Sequence, residues 1–287
     1  MLYLLALTSA TLYGAADFLG GVASKRLSTT LVVAISQAVG LVVLLGAITL
    51  LPPAEPTGTD LAYGAAAGLA GTVGVGLLYR ALAIGVMGVV APITAVCAVA
   101  IPVLFSVVRG DRPAPLVIAG IGIALVAIVL VSQQPSGAAA DLRRSPRLPP
   151  GVPHALASGV AIGVFFVALS QARPEAGLWP LVGARAAAVP ICVAAGLLGG
   201  ASLRGVARRT AVIASAAGVT DMSANVLYLL ASQLGSLPVA VTLSSLYPAS
   251  TVVLARIVLG ERLHRMQMVG MACALVAVLC IVLGGAR

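Results

Sequence analysis

The sequence predicts an all-α membrane protein: ten transmembrane helices in two inverted-topology five-helix repeats. Three observations lead there. Of 287 residues, 60% are hydrophobic and only 9% charged, and the mean hydropathy is +1.12. So few charges cannot cover a fold of this size in water, and most of its surface must meet hydrocarbon. Apolar stretches of about 20 residues, the helix length that crosses a ~30 Å hydrocarbon core, recur along the whole chain. The last five of them resemble the first five. Helices rather than a lipid-facing barrel follow from the scarce aromatics (4%), the 32 glycines and the alanine runs Ala65 to Ala67, Ala138 to Ala140 and Ala186 to Ala188, all suited to close helix packing.

The first span covers residues 2–22. No basic stretch precedes it, and Ser9, Tyr13 and Asp17 give it a polar face at intervals of four, so it reads as a mature helix and not a cleaved leader. The second, 29–51, carries Gln37 and stops at Pro52-Pro53-Ala54-Glu55-Pro56. The third, 61–79, contains Gly64-xxx-Gly68, a helix-packing motif. The fourth, 86–108, holds Thr94 between Pro92 and Pro102 and ends at Gly110-Asp111-Arg112-Pro113; the fifth is 115–132. Residues 133–151, with Pro135, Ser136, Gly137, Asp141, Arg143, Arg144, Arg147 and Pro149-Pro150, read as a solvated connection. This gives a first repeat at 1–135, a hydrophilic linker at 136–150 and a second repeat at 151–287.

The sixth span, 152–171, carries Gly159-xxx-Gly163 and ends at Arg173-Pro174-Glu175. The seventh, 179–199, holds Arg185 and Gly196-xxx-Gly200. The eighth, 210–233, sets Asp221, Asn225, Tyr228 and Ser232 on one helical face. The ninth, 237–258, is rich in hydroxyls, with Thr242, Ser244, Ser245, Tyr247 and Thr251 around Pro248, and the tenth is 267–284.

A shift of 150 positions lays Gly110-Asp111-Arg112 on Gly260-Glu261-Arg262, Gly120 on Gly270, and Ala124-Leu125-Val126-Ala127 on Ala274-Leu275-Val276-Ala277. Because five is odd, two such copies must cross the membrane in opposite senses, related by a pseudo-two-fold axis in its plane. The net charge of +9 does not point to nucleic acid, since the basic residues fall in small groups between spans. They report topology. Twelve Lys and Arg lie on the side of the odd-to-even connections against Arg109, Arg112, Arg173 and Arg287 on the side of the termini, which places the termini outside a plasma membrane. Cys97, Cys192, Cys273 and Cys280 sit in apolar spans without metal or disulfide spacing, and His154 and His264 lie at connectors, so no metal or cofactor is expected.

Val90-Ala91-Pro92-Ile93, Pro102, Gly110-Asp111-Arg112-Pro113 and Ala119-Gly120-Ile121 resemble the end of one EamA-type repeat of the drug/metabolite transporter superfamily. Leu246-Tyr247-Pro248, Leu259-Gly260-Glu261-Arg262-Leu263 and Val269-Gly270 resemble the same stretch of the second repeat, and Tyr13-Gly14 and Tyr79-Arg80-Ala81-Leu82 resemble further family positions. The resemblance implies ten helices in two inverted repeats and the movement of small solutes, often efflux of metabolites or drugs. The chain departs from the family in one place: Gln37 stands in the second span where the second repeat has Arg185, the residue type the resemblance implies in both the second and the seventh span, so a symmetrical arginine pair is missing.

An ionised side chain inside hydrocarbon costs about 2.5–3.5 kcal/mol on insertion scales, which singles out Asp17, Arg185 and Asp221. Asp221 lies near the midplane of its span, and the other two lie within about 7 Å of that level. A carboxylate here would take a proton or a cationic group; Arg185 would hold an anionic group or tune the carboxylate, or form a structural ion pair with Asp221. Tyr13, Gln37, Thr94, Asn225, Tyr228, Ser244, Tyr247 and Pro248 complete the expected substrate-binding or coupling set, against the plainer reading that membrane hydroxyls bond neighbouring helices. A secondary transporter of a small polar or amphiphilic solute, with protons as a coupling ion and as a monomer or homodimer, therefore leads. The alternative, a membrane-embedded enzyme acting on a lipid or prenyl substrate, lacks clustered carboxylates or a nucleophile with its base.

Overall fold

The computed structural model describes residues 1–50, 53–110, 114–132, 148–198, 206–233, 243–244, 246–261 and 264–285. Among them the chain forms ten long α-helices and no strand. They are α1 (Leu2–Ser24), α2 (Thr29–Ile48), α3 (Gly58–Ile84), α4 (Met87–Val108), α5 (Pro115–Ser132), α6 (Val152–Leu169), α7 (Trp179–Leu198), α8 (Arg208–Gln233), α9 (Tyr247–Leu259) and α10 (Arg265–Gly285). Eight of these are long and apolar enough to cross a membrane; α5 and α9 are apolar but shorter. Outward-facing Val42, Leu197, Leu198 and Ile257 give the bundle an apolar exterior, as contact with lipid requires.

Helix starts agree with the periodicity to within three residues except at α9. There the described helix begins at Tyr247, and residues 234–242 and 245 lie outside the described set. Pro248 accordingly sits in the first turn of α9 rather than mid-span, where its missing N–H has no intrahelical partner to lose. The aligned glycines of the Gly-acid-Arg turns have a backbone reason: Gly110 and Gly260 take φ of +98° and +68° just past α4 and α9, a region glycine enters without penalty. Residues 111–113, 133–147 and 262–263 lie outside the described set.

Backbone-to-backbone packing sets the helix directions. α3 runs parallel to α1, with Gly20 under the Tyr79 ring and Gly21 against Leu82, and antiparallel to α6, with Gly71 against Phe165 and Gly74 against Ile162. Hence α6 runs opposite to α1. Gly64 and Gly68 meet the Pro180 and Ala184 carbonyls of α7, and Gly159 and Gly163 meet α4 at Cys97 and Ile101, as their spacing predicts. A Cβ at Gly196 would meet no neighbouring helix within 4 Å, and Gly200, the other half of its motif, lies outside the described residues.

The most extensive interfaces join helices from opposite ends of the chain: α5 with α10, α1 with α8, and α3 with α6. Their polar contacts match when the two ends are exchanged. Ser9 of α1 donates to the Ala224 carbonyl of α8 at 2.8 Å, and Ser158 of α6 donates to the Gly74 carbonyl of α3 at 2.7 Å. Ser244 donates to Ala6 of α1, and Thr94 of α4 donates to Ala155 of α6, at 3.4 and 3.2 Å. The central apolar cluster, including Phe18, Val32, Leu78, Tyr79, Leu82, Met87, Val90 and Ile93, is closed by Val152, Ala155 and Ala214.

Candidate functional site

The seventh and eighth helices bring Arg185 and Asp221 together. Arg185 Nη2 donates to Asp221 Oδ2 at 2.5 Å, and the two side chains keep 13% and 22% of their surface open. The guanidinium points inward: a Cβ at Gly40 of α2 would lie 3.6 Å from its central carbon, so the pair occupies the junction of α2, α7 and α8 and does not face lipid. Pairing offsets most of the desolvation that either ion would suffer alone.

Gln37 lies one turn before Gly40 on α2. Its Nε2 meets the Thr72 hydroxyl at 3.5 Å, and its carbonyl oxygen is buried with no hydrogen-bond partner. Gln37 with Thr72 thus stands across α2 and α3 as Arg185 with Asp221 stands across α7 and α8, one contact neutral and the other ionic. A buried acceptor without a donor is disfavoured by about 1–3 kcal/mol unless a donor arrives.

Asp17 is half-buried on α1 and makes no hydrogen bond or ion pair with a described residue. It lies within electrostatic reach of Asp221, Tyr79 and Tyr247, and Tyr13 within that of Asp221, Arg185, Tyr228 and Tyr247. The Tyr13 and Tyr247 rings meet edge to face with centroids 6.2 Å apart. One interior region therefore collects a lone carboxylate, an ion pair and four tyrosines. Tyr79 is among them although the sequence marked it only as part of a family stretch; what places it is Gly20, which lets its ring lie flat on α1.

The remaining expected residues are engaged with backbone. Thr94 and Ser244 are buried and bond the neighbouring helices. Asn225 Nδ2 donates to the Asp221 carbonyl of its own helix at 2.8 Å, and Thr251 donates to Gly14 at 3.2 Å. Thr242 and Ser245 lie outside the described residues, as does the side chain of Ser232.

Two polar contacts near the helix ends escaped the sequence, because their partners are far apart along it. Arg173, between α6 and α7, donates from its backbone N–H to Asp60 Oδ1 at 3.0 Å and from Nε and Nη2 to Oδ2 at 3.2 and 2.9 Å; Nη2 also reaches the Glu55 carbonyl. Asp60 forms a capping box with Thr57 at the start of α3. Glu261 of the Gly-Glu-Arg turn accepts from the Met87 and Gly88 N–H groups at 3.2 and 3.3 Å, a carboxylate at the positive end of α4.

A cavity of about 260 Å³ lies between α2, α3 and α7. Thr29, Thr30, Val33, Thr72, Gly76 and Arg80 line one side and Ile191, Cys192 and Ala195 the other. Thr72 connects its inner end to Gln37. Among the described residues no group of three or more His, Cys, Asp or Glu is placed to hold a metal ion.

Comparison with known proteins gives three findings. The sequence model of the EamA-like transporter family matches residues 1–133 and 149–283. No curated protein matches significantly. A solved structure described only as a crystal structure of a protein aligns over 99% of this chain and 97% of its own, at 17% identity and a TM-score of 0.62, which speaks to the fold.

Proposed function

Since the chain belongs to the EamA-like transporter family and is an integral membrane protein of that class, we propose that it is a secondary transporter working by alternating access, moving a small polar or amphiphilic metabolite or drug outward across the plasma membrane. The reading takes residues 1–135 and 151–287 as two five-helix repeats of opposite orientation joined by the linker 136–150, with all ten helices spanning the bilayer. The opposed directions of α1 and α6 and the exchange-matched serine and threonine contacts support it.

The observation that carries the proposal is the interior charge set. Among the described residues Asp17 has no counter-ion, while Arg185 and Asp221 neutralise each other, so the region has room for one more positive charge, a proton or a cationic group of the solute. Tyr13, Tyr228 and Tyr247 offer ring faces and hydroxyls, and Gln37 offers a free acceptor. Thr94 and Ser244 serve the same region by holding neighbouring helices together, Asn225 stands one turn from Asp221 on the same helix, and Pro248 opens the helix that carries Tyr247. The protein needs no cofactor or catalytic residue, and it works as a monomer or homodimer.

The test is solute flux in proteoliposomes with and without an imposed proton gradient, for the wild type, Asp17→Asn, Asp221→Asn and Arg185→Gln. Gradient-driven flux should fall at least about tenfold in Asp17→Asn. Undiminished, gradient-dependent flux in all three variants would remove the mechanism.

A further inference from the structure

The two ends of the bundle are built differently, and the difference falls on the helices that alternating access must move. α3 and α7 run side by side. At their starting ends they touch backbone to backbone: Gly64 against the Pro180 carbonyl, Gly68 against Ala184, and Gly183 against the Leu61 carbonyl. The same end is tied by Arg173, which grips Asp60 through its guanidinium and its own N–H and reaches the Glu55 carbonyl. Glu55 in turn donates its N–H to the Glu175 carbonyl at 3.2 Å. The connection before α3 is thus bolted to the connection before α7.

Toward the other end a cavity opens beside the same helices. Arg80 lies twenty residues beyond Asp60, about 30 Å along the axis, and there Thr72, Gly76 and Arg80 of α3 and Ile191, Cys192 and Ala195 of α7 line the cavity together with Thr29, Thr30 and Val33 of α2. The lining of α7 starts just past Pro190, which cannot donate to the Ala186 carbonyl and weakens the helix at that turn.

The pair related by exchange is α8 with α2, where Gly218 meets the Ser36 carbonyl as Gly68 meets Ala184. In that register Gly64, Leu61 and Asp60 correspond to Ala214, Ala211 and Thr210; Pro180, Gly183 and Arg173 correspond to Val32, Ile35 and Lys25. Two of three glycines and the carboxylate are gone. The α2–α8 end therefore keeps one of the three close approaches, Gly218 on Ser36, and among the described residues it has no counterpart of the latch. The Glu261 contact ties α4 to the α9–α10 connection and leaves α2 and α8 free of it.

From this asymmetry we infer that the Asp60–Arg173 clasp, seated on the Gly64/Gly68/Gly183 contact, is the gate latch of the transporter. It closes the Asp60 end while the Arg80 end stands open, and it must release when access switches. This rests on the transporter reading above. Because no described residue forms an equivalent latch at the opposite end, the resting protein favours the state open at the cavity.

Cys192 lines the cavity with only 4% of its surface exposed, so the slow rate at which a reagent reaches it through the cavity reports access. In a full-length chain carrying Cys97→Ala, Cys273→Ala and Cys280→Ala, the labelling rate of Cys192 by a small membrane-impermeant methanethiosulfonate is measured in vesicles of both orientations. Labelling is expected from the Arg80 side only. It should drop roughly fivefold in Asp60→Asn and in Arg173→Gln, and recover in the charge-swapped Asp60→Arg/Arg173→Asp chain. A rate unchanged in both single variants overturns the inference even if gradient-driven flux is intact, whereas a shifted rate without flux upholds the gate and removes the transporter reading. Independently of variant stability, Asp60→Cys/Arg173→Cys in a chain with all four native cysteines replaced should lose flux on oxidation and regain it on reduction. Flux that persists through the cross-link also overturns it.

Discussion

At the scale of single residues, the ion pair shows how a membrane interior rations charge. Arg185 and Asp221 each keep some access to internal space, so their attraction is partly screened, yet neither can be removed without exposing the other to a poorly solvating surround. Asp221→Asn is expected to lower the unfolding free energy of the detergent-solubilised protein by about 1–3 kcal/mol, less than a fully buried pair would lose. Arg185→Gln/Asp221→Asn should be less destabilised than the sum of the two single changes, because no orphan charge remains. Thermal unfolding of the four proteins completes the cycle; strictly additive losses would mean that the two groups do not act as a pair. Asp17, Arg185 and Asp221 were legible in the sequence because charge in an apolar run is rare and conspicuous. The Arg185–Asp221 pair was among the readings the sequence offered, but it stood beside others, since helical periodicity gives each residue a face but not the neighbour that the face meets.

At the scale of elements, the helices were legible almost to their ends, because apolar length and breakers such as Pro52-Pro53 and Gly110 decide them locally. Their contacts were not. Gly64-xxx-Gly68 and Gly196-xxx-Gly200 look alike on paper, yet the first carries α7 on its surface, whereas a Cβ at Gly196 would have no neighbouring helix within 4 Å. The Asp60–Arg173 contact spans 113 positions and no local pattern announces it. A methyl group at Gly68 would strike the Ala184 carbonyl, and one at Gly218 would strike Ser36, backbone atoms that cannot move aside without their helices. Gly68→Ala and Gly218→Ala should each lower the unfolding midpoint in detergent, by about 1–3 kcal/mol at that temperature. Gly122→Ala, in open space on α5, should leave it unchanged or raise it, since alanine favours the helix by up to ~1 kcal/mol. Equal behaviour of all three would detach close approach from stability.

For the whole molecule, the chief interfaces run between the ends of the chain and not within them. α1 lies on α8, α3 on α6 and α7, α4 on α6, and α5 on α10, while the central apolar cluster draws Val152, Ala155 and Ala214 into a group otherwise supplied mainly by α1 to α4. Either half alone would leave uncovered the glycine faces of α3 and α6 and the hydroxyls of Ser9, Ser158 and Thr94, whose acceptors belong to the other half. In hydrocarbon those faces have no solvent to satisfy them. A chain cut within residues 136–150 and expressed as two pieces should therefore co-purify through a tag on one piece, with gradient-driven flux retained. Residues 1–135 or 151–287 expressed singly should be readily digested by protease. A half that resists protease alone and ignores its partner would show that each repeat completes its own core, and would leave the exchange-matched contacts without a part in folding.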